Sequence, residues 1–492
     1  MAVFKTLLAL CLSAGIKAQS STTASSATCS STIAPQHGQP SVAAGWNVQV
    51  VASGLTDPRG IIFDRSGNLL VVQQGYGISS LQLTNDNGAC VRAQGDPRDI
   101  VVDATLNHGI ELSDDGATLY ASSPSAVYAW DYDGNDGGRN TSGPRTLINE
   151  MGDEDGHVTR TILLSRQVPG MLLVSRGSMS NLDPAALDIG TGVSTIKAFN
   201  ISNVTDQAYK FAEEGTLMGW GLRNSVGIGE DPATGAIYSV ENSVDNFQRD
   251  GENIHQNNPG EEMNFHGYLN GTEAEEQGRN YGYPTCYAAW DVDEIPNNDQ
   301  IQVGTQFAIG NQNSTNNDTL CQNDRVAPRL TFAAHMAPLD IKFNTNGTAA
   351  WISFHGSWNR DVPIGYKLSV VAFENGSPTA PANSNTAAID IMTNPDVSRC
   401  PDECFRPVGL AWDSQGRLFM SSDSTGEIYV ITRDQGGSAN EASPSSGLPS
   451  SATAATSPSA TESTGSAAEK NGFGKASAWA ELIALCMALP LM

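Results

Sequence analysis

The sequence has 492 residues and a formal net charge of −26, from 53 acidic and 27 basic side chains. An excess of negative charge of this size disfavours binding to nucleic acid and to anionic lipid surfaces. The central part is long enough for one large domain with a sizeable core, and no segment is typical of a second catalytic module.

The N-terminal residues 1–18 are typical of a secretory signal peptide. Lys5 precedes an apolar run at residues 7–12, and small residues follow. The run is too short to cross a membrane, so we expect an extracytoplasmic chain. Residues 19–42 are rich in Ser and Thr, which predicts a loosely ordered leader.

Residues 43–434 repeat one pattern, which is a short strand, a turn containing glycine and a returning strand. Five clear copies begin at Arg59, His108, Arg223, Leu339 and Arg406, and one blurred copy lies around residues 171–176. Repetition of such a unit predicts an all-β, six-bladed β-propeller. Roughly sixty residues per blade exceed the ~40–45 of compact repeats, so we expect long loops on a binding face. The alternating strand at residues 46–51 could close the ring by pairing with the last blade.

The C-terminal part has two further segments. Residues 435–470 are rich in Ser, Thr, Ala and Pro, which is typical of an O-glycosylated stalk. Residues 471–492 contain a spacer and an apolar tail without a charged stop, the pattern of a glycosylphosphatidylinositol (GPI) attachment signal. An ordinary short tail anchor is the alternative. We therefore expect a secreted protein that touches the membrane only through a lipid anchor at the cell surface.

Six cysteines lie outside the signal peptide and the C-terminal tail, an even number that fits disulfides in a secreted chain. Fifteen pairings are possible. We expect Cys286 with Cys321 and Cys400 with Cys404, which leaves Cys29 with Cys90. A zinc cluster is disfavoured because the usual close spacing of Cys or His ligands occurs only in the Cys400/Cys404 loop. Eight Asn-X-Ser/Thr sites predict glycans on loops: Asn140, Asn200, Asn203, Asn270, Asn313, Asn317, Asn346 and Asn375.

Polar side chains that are unusual for an acidic protein open or close the repeats. They are Arg59, His108, Arg223, Asn224, His355, Trp358, Asn359, Arg360 and Arg406. Equivalent strand ends of a propeller converge on one face, so these residues can form one basic, aromatic pocket. A guanidinium group matches a carboxylate in bidentate fashion, and an indole stacks on a flat ring. The pattern favours a planar ligand that carries several negative charges.

Seven phrases in order resemble one enzyme family: LTDPRGIIFD, NHGIELSDDG, GWGLRNSVGI, NPGEEMNF, AHMAPLDIKF, FHGSWNR and FRPVGLAWD. The chain resembles the soluble quinoprotein glucose/sorbosone dehydrogenases, most closely their fungal branch, the pyrroloquinoline quinone (PQQ)-dependent pyranose dehydrogenases. This resemblance implies a six-bladed propeller, a PQQ on the channel axis and a Ca²⁺ that bridges quinone and protein.

The resemblance also implies roles for two groups near the reacting atoms. His108 corresponds to the base that takes the hydroxyl proton of the sugar while hydride passes to the quinone, and the ordinary pKa of histidine, about 6.5, suits this task. Arg223 corresponds to the guanidinium that stabilises negative charge developing on the quinone.

The remaining family positions hold the cofactor and the metal. Asn224 lies at the cofactor in the family, and Arg59, His355, Trp358, Asn359 and Arg406 match positions that hold its carboxylates and ring. Main-chain carbonyls of Ser243 and Val244 match the Ca²⁺ ligands, which suits a cation that prefers oxygen. The chain departs here from bacterial relatives, which have a Gly-Pro pair. We assign no functional role to His37, His157, His255 or His266, and we place His335 only behind the site.

The implied reaction is oxidation of a sugar, either a pyranose, an aldose or a ketoaldose such as glucosone or sorbosone. The electrons then pass to an external acceptor, which can be a cytochrome, a quinone or a copper oxygenase. Two alternatives remain open. A calcium-dependent propeller hydrolase such as a lactonase would need side-chain carboxylates and Asn at the channel, and a non-catalytic propeller would bind a glycan or a protein.

Overall fold

The computed structural model describes residues 32–86, 90–152, 156–204 and 207–440. The predicted signal peptide, most of the predicted leader and stalk, and the predicted GPI signal lie outside these residues. The described part consists mainly of β-strands, with one short α-helix at Asp318–Asp324. It contains no helix that is long and apolar enough to span a bilayer.

Six antiparallel sheets of four principal strands form the blades, and within each blade we give the strands from the channel outward. Blade 1 comprises Pro58–Phe63, Leu69–Gln73, Gly77–Leu81 and Arg98–Val102, and blade 2 comprises Ile110–Leu112, Thr118–Ser122, Val127–Asp133 and Arg145–Asn149. Blade 3 comprises Ile162–Leu164, Met171–Arg176, Thr195–Asn200 and Thr216–Trp220, and blade 4 comprises Ser225–Glu230, Ala236–Glu241, Glu261–Tyr268 and Leu330–Phe332. Blade 5 comprises Pro338–Phe343, Ala349–Phe354, Lys367–Glu374 and Ala388–Thr393, and blade 6 comprises Pro407–Trp412, Leu418–Ser422, Glu427–Arg433 and Trp46–Ala52.

Shorter elements lie at the edges of the blades and in the loops. The additional strands are Ser41–Val42, Leu83–Asp86, Cys90–Ala93, Arg139–Asn140, Tyr209–Lys210, Gln248–Arg249, Glu252–Asn253, Cys286–Ala288, Gln306–Ala308 and Ser377–Pro378. The 3₁₀ turns are Asn135–Gly137, Pro184–Leu187, Ile189–Thr191, Ile201–Asn203, Val292–Glu294, Val397–Arg399 and Asp434–Gly436.

The innermost strands contact their neighbours in the order of blades 1 to 6, and the innermost strand of blade 6 contacts that of blade 1. The blades therefore close a ring around a central channel. This confirms the prediction of an all-β, six-bladed β-propeller, including the blurred third repeat, whose second strand is Met171–Arg176.

Both faces of each blade are buried, which explains the continuous apolar runs in the second strands. In blade 1, Leu69 and Val71 pack against blade 6, whereas Leu70 and Val72 pack against blade 2. Successive side chains of a strand point to opposite faces, so one short strand supplies two cores. Each of the six blade interfaces holds such an apolar cluster.

The first hairpin of several blades is closed by an Asp or Asn that caps the turn. Asp64 Oδ1 accepts hydrogen bonds from the backbone N–H of Ser66 at 2.9 Å and of Asn68 at 2.8 Å. Asn344 makes the equivalent bonds to residues 348 and 349 in blade 5. The glycine within the first of these turns, Gly67, has φ +84°, a conformation that favours glycine. Local sequence therefore fixes the hairpins.

The N-terminal strand closes the ring as predicted. Trp46–Ala52 pairs antiparallel with Glu427–Arg433 as the outermost strand of blade 6. The Trp46 ring packs edge-on against Trp351 of blade 5 at 5.1 Å, and the Arg433 guanidinium lies 3.8 Å from its centroid. Two ends of the sequence thus share one blade, so the ring cannot open without breaking this sheet.

A long insertion, residues 269–329, connects the third and outermost strands of blade 4. The predicted disulfide Cys286–Cys321 lies within it, and Cys400–Cys404 closes a loop before blade 6, so both pairings are confirmed. Cys90 is also disulfide-bonded, and its predicted partner, Cys29, lies outside the described residues. The insertion leaves blade 4 at the end opposite to the first residues of the innermost strands. At the other end, where the innermost strands begin, residues 177–194, 242–260 and 355–366 connect the second and third strands of blades 3, 4 and 5. Long loops therefore do share one face as expected, and the insertion reaches them through Tyr283, whose hydroxyl contacts the Asn181 carbonyl.

Candidate active site

The end of the channel at which the innermost strands begin holds a cavity of about 380 Å³, which we call the upper cavity. The first and second strands of a blade form an antiparallel hairpin, so residues before the first and after the second meet at this end. Its walls comprise His157, Arg223, Asn224, Asn242, Ser243, Asp245, Glu261, His335, Ala337, His355, Gly356, Ser357, Trp358 and Arg406. Distant segments of the sequence thus face one space.

Six of the ten predicted site residues line the upper cavity. They are Arg223, Asn224, Ser243, His355, Trp358 and Arg406. The other four, Arg59, His108, Asn359 and Val244, do not line it. Arg59 and Asn359 make polar contacts with residues next to the cavity or in its wall, and His108 and Val244 are buried.

Asp423 connects two of the predicted residues. Its carboxylate accepts a hydrogen bond from Arg59 Nη1 at 2.5 Å and lies 2.9 Å from His355 Nε2. A carboxylate only accepts, so Nε2 of His355 carries the hydrogen. Burial opposes ionisation of Asp423, but His355 and Arg59 outweigh it and hold its pKa below the ordinary value. Burial lowers the pKa of His355 despite the carboxylate. The Arg59 guanidinium and the His355 imidazole thus share the Asp423 carboxylate, which orients both.

Arg406 and Trp358 present different surfaces to the cavity. Arg406 donates from Nη2 to the carbonyl of Gly356 at 2.9 Å and from Nε to that of His355 at 3.2 Å. Its guanidinium lies 5.5 Å from the Tyr366 ring. Trp358 is 67% exposed although it borders a cavity, so its indole is available to a flat ligand. The arginine is held in place, but among the described residues no carboxylate is bonded to it.

Arg223 is anchored from several sides. Its Nη2 donates to Asp245 Oδ2 at 3.0 Å and to Asn181 Oδ1 at 2.9 Å, and its backbone N–H donates to Glu241 Oε1 at 2.6 Å. Its side chain is only 5% exposed. Asp245 also lies 3.6 Å from His335 Nδ1. Asp245 thus fixes the orientation of the guanidinium at the cavity wall.

His108 is 4% exposed. Its Nδ1 is buried and has no hydrogen-bond partner within the described part of the chain. Burial, followed by the positive charges of Arg59 and Lys342, holds the pKa of His108 well below 6.5. The backbone of His108 packs closely on Gly60, where a Cβ atom would clash with the His108 carbonyl oxygen. The imidazole is therefore neutral and its Nδ1 is unbonded among the described residues, although the lowered pKa makes it a weaker base than a free histidine.

The segment that contains Ser243 and Val244 is held by Glu261. Its carboxylate accepts from the N–H of Ser243 at 2.6 Å and of Ala337 at 3.2 Å, and burial raises its pKa to about 7. The Val244 side chain packs in an apolar cluster. In the described residues, neither the Ser243 nor the Val244 carbonyl accepts a hydrogen bond.

These free carbonyl oxygens fit a Ca²⁺, which prefers oxygen ligands. No cluster of three His, Cys, Asp or Glu side chains that could hold a metal occurs in the described ranges. A cation here would therefore depend on carbonyl oxygens and on oxygens of a bound ligand.

Sequence reasoning missed Asp245, Asp423 and Glu261, and it assigned no role to His157. His157 lines the upper cavity, bonds Ser178 Oγ through Nδ1 at 2.8 Å, and has its pKa lowered to about 3 by burial and Arg223. One signal was available. Asp423 follows the second strand of blade 6 as His355 follows that of blade 5, so repeat register alone indicates that the two lie at the same end.

Comparison with known proteins agrees with the geometry. Residues 40–434 match the family model described as TrAA12-like. The chain belongs to this family. A PQQ-dependent sugar dehydrogenase of Hypocrea jecorina (strain QM6a) is 48% identical over 394 residues, which cover 80% of this chain and 89% of the relative. A PQQ-dependent pyranose dehydrogenase of Coprinopsis cinerea is 37% identical over 81% of this chain, which spans 55% of that relative.

Two solved structures support the same assignment. The calcium structure of the Trichoderma reesei Carbohydrate-Active Enzymes Family AA12 protein superposes with a TM-score of 0.79 at 48% identity, over 82% of this chain and 99% of that chain. The holo form of the pyranose dehydrogenase PQQ domain from Coprinopsis cinerea has a TM-score of 0.75 at 37% identity, with coverage of 82% and 99%. The resemblance inferred from the seven phrases is confirmed.

Proposed function

We propose that this TrAA12-like protein is an oxidoreductase that oxidises a sugar by hydride transfer to PQQ held in the upper cavity. The observation that carries the proposal is the convergence of Arg223, Arg406, His355 and Trp358 on one cavity. Buried nitrogens without partners, Arg59 Nε and His108 Nδ1, lie near this end of the channel. A volume of about 380 Å³ is within the range of cofactor sites.

The hydrogen-bond donors and the exposed indole of the upper cavity explain how the cofactor would bind. Arg406 can take a carboxylate because its own contacts are with neutral carbonyls. The exposed indole of Trp358 offers a flat face for stacking. Arg59 and His355 both contact Asp423, and Asn359 contacts Asp245. These contacts place all three in one polar wall. These residues would hold PQQ at the channel mouth.

The chemistry divides between cofactor and protein. When bound, PQQ supplies an acceptor for the hydride of the sugar carbon. The neutral imidazole of His108 accepts the hydroxyl proton, a step worth typically ~10²–10⁴ in rate. Arg223, fixed by Asp245, places positive charge where negative charge develops. Both groups are themselves buried, since His108 is 4% exposed and the Arg223 side chain is 5% exposed.

We also propose that Ca²⁺ binds at the carbonyls of Ser243 and Val244. Their freedom from other hydrogen bonds in the described part of the chain supports this site, as does the similarity to the calcium structure of the Trichoderma reesei protein. Carbonyl ligands add no negative charge beside an anionic cofactor.

Secretion, the GPI anchor, the glycans and the external electron acceptor also stay proposals. The two internal disulfides fit an oxidising compartment. Predicted glycosylation sites such as Asn270, Asn313, Asn346 and Asn375 are exposed. Oxidation of a sugar releases two electrons, which would pass through bound PQQ to an external acceptor such as a cytochrome, a quinone or a copper oxygenase. The protein surface near the upper cavity is where that transfer would occur.

Reconstitution tests the proposal. Purified protein is dialysed against a chelator, incubated with Ca²⁺ and PQQ, and assayed for dye reduction with a panel of sugars. We expect dye reduction only when PQQ and a sugar are both present. Lactone hydrolysis without PQQ would support the hydrolase alternative, and no turnover with any substrate would support the non-catalytic propeller.

A further inference from the structure

A separate cavity of about 440 Å³, which we call the flank cavity, lies between the insertion of blade 4 and a hairpin of blade 5. It shares no lining residue with the upper cavity. Its polar lining residues are Gln302, Thr305, Gln306, Gln322, Arg325 and Asn383. The apolar lining residues, Val303, Ala327, Pro328 and Ala382, are small or medium in size, and no aromatic ring borders the cavity.

Among the described residues of this lining, Arg325 is the only one with a charged side chain. Within the described ranges its guanidinium makes no hydrogen bond and no ion pair, and its Nε is buried without a partner. Burial lowers the pKa of Arg325, and the opposing charge is that of Asp324 alone. In a chain with 53 acidic side chains, a partly buried guanidinium without a bonded carboxylate calls for an explanation.

Two more unpartnered polar atoms lie behind the wall of the flank cavity rather than on its surface. Gln306 is 1% exposed and its Oε1 has no partner, while its Nε2 contacts Glu262 and the carbonyl of Tyr281 at 3.3 Å. Thr331 Oγ1 is also unpartnered and lies beside Gly304, a lining residue. Most buried polar atoms in proteins have partners. Arg325 Nε is the exception on the charged lining residue, and it indicates a site suited to a ligand that accepts hydrogen bonds.

The cavity is firmly supported, which favours a preformed binding site. Arg325 follows the helix Asp318–Asp324, which is held by the Cys286–Cys321 disulfide. The same helix is clamped by Arg249, whose Nη1 and Nη2 donate to the Asp318 carboxylate at 2.7 and 2.6 Å. Asn383 Nδ2 donates across to Gln302 Oε1 at 3.2 Å.

We propose that the flank cavity binds a uronic acid unit of an acidic saccharide. Arg325 takes its carboxylate as a bidentate pair, the geometry for which a guanidinium is suited. Side-chain amides both donate and accept, so Gln302, Gln322 and Asn383 match sugar hydroxyls. The lack of a large apolar surface disfavours a peptide. This site does not rest on the proposed sugar oxidation.

Calorimetric titration of the mature chain with trigalacturonate tests the proposal, at about 0.15 M salt to screen the long-range repulsion from the net charge. The fully methyl-esterified trisaccharide is the matched ligand, because it keeps the sugar rings and lacks the charge. We expect the ester to bind about tenfold or more weaker. Arg325→Gln should weaken trigalacturonate binding to a similar extent. Arg139→Gln removes an exposed arginine elsewhere and should change nothing.

Each contrary result overturns the proposal. Equal affinity for acid and ester would show that the protein does not recognise the carboxylate. Unchanged binding by Arg325→Gln would show that the guanidinium does not contact the ligand. Absence of binding by the unsubstituted chain at millimolar trigalacturonate would show that the cavity is not a site for uronic acids. The ester comparison uses the unsubstituted chain, so it stands even if the variant fails to fold.

Discussion

The two mouths of the channel are built by the same six strands and enclose similar volumes, yet their chemistry differs. The lower cavity, at the ends of the innermost strands, measures about 370 Å³, against about 380 Å³ for the upper cavity. Its lining is mostly aliphatic or aromatic, including Ile61, Phe63, Leu163, Ile228, Leu410 and Trp412. The propeller thus supplies two equivalent openings, and residue type decides which one can carry chemistry.

The charges at the two mouths are also balanced differently. At the lower mouth, Arg166 pairs with Glu111 at 2.7 Å and with Asp114 at 2.6 Å, so its charge is neutralised within the protein. At the upper mouth, Arg406 bonds only carbonyl oxygens among the described residues. An anionic cofactor would be bound by positive charge that is not paired with a carboxylate, and the upper mouth offers such a charge in Arg406. Paired variants at the two mouths test this contrast.

The largest difference in turnover is expected between the variants His108→Ala and Glu111→Gln. Loss of the proton acceptor should lower turnover by the ~10²–10⁴ typical of a general base, with PQQ binding largely retained. Glu111 lies on the same blade but belongs to the lower mouth, so its variant should keep turnover. Steady-state dye reduction at saturating PQQ measures both. Full turnover in His108→Ala would remove the imidazole from the reaction.

The second contrast compares two arginines. Arg406→Ala should raise the PQQ concentration for half-reconstitution about ten- to hundredfold, the loss expected for one charge-assisted hydrogen-bonded contact. Arg166→Ala should leave that concentration unchanged, because Arg166 is paired with Glu111 and Asp114 at the lower mouth. Titration of the apoprotein with PQQ, followed by activity and by quenching of tryptophan fluorescence, gives the values. Equal effects of the two variants would contradict a cofactor site at the upper mouth.

The third contrast compares two indoles. Trp358→Ala removes an exposed stacking surface and should weaken PQQ uptake by about tenfold or less, because such contacts contribute about 0.5–1.5 kcal/mol. Trp412 donates from Nε1 to the Phe343 carbonyl at 2.8 Å and packs on Trp351. Trp412→Ala should instead lower the free energy of unfolding by about 3 kcal/mol without a change in PQQ uptake. Urea unfolding and PQQ titration of both variants separate the two roles.

The repeats were predictable from the sequence because strand alternation and capped glycine turns are encoded locally. The register also placed His355 and Arg406 at one end of the channel. The strand boundary near His108 was not predicted. The repeat there was expected to begin at His108, but the strand begins at Ile110, which leaves His108 in irregular backbone whose carbonyl packs against Gly60.

The supporting carboxylates could not be predicted as easily, because their roles depend on tertiary contacts of long connections. Asp245 bonds Arg223 directly, and Asn181 Oδ1 accepts hydrogen bonds from both. The loop of Asn181 is in turn contacted by the Tyr283 hydroxyl from the insertion. No local pattern relates these three segments. Asp423 is the exception, since its place in the repeat was visible.

The smallest contrast concerns pH and the buried carboxyl at the lower mouth. Burial raises the pKa of Glu111 above its ordinary value of 4.5, although Arg166 and Lys342 oppose the shift. The folded state therefore binds this proton more tightly than the unfolded chain. The resulting stabilisation is present below pH 4.5 and is lost as the pH rises through the raised pKa.

Glu111→Gln removes this titration, so the free energy of unfolding should fall less between acidic and neutral pH than it does in the unsubstituted chain. Asp114→Asn is the matched control, because Asp114 pairs with the same arginine but is 56% exposed. It should keep the original pH dependence. Urea unfolding at several pH values measures the slopes. An unchanged slope in Glu111→Gln would mean that Arg166 cancels the cost of burial at this mouth.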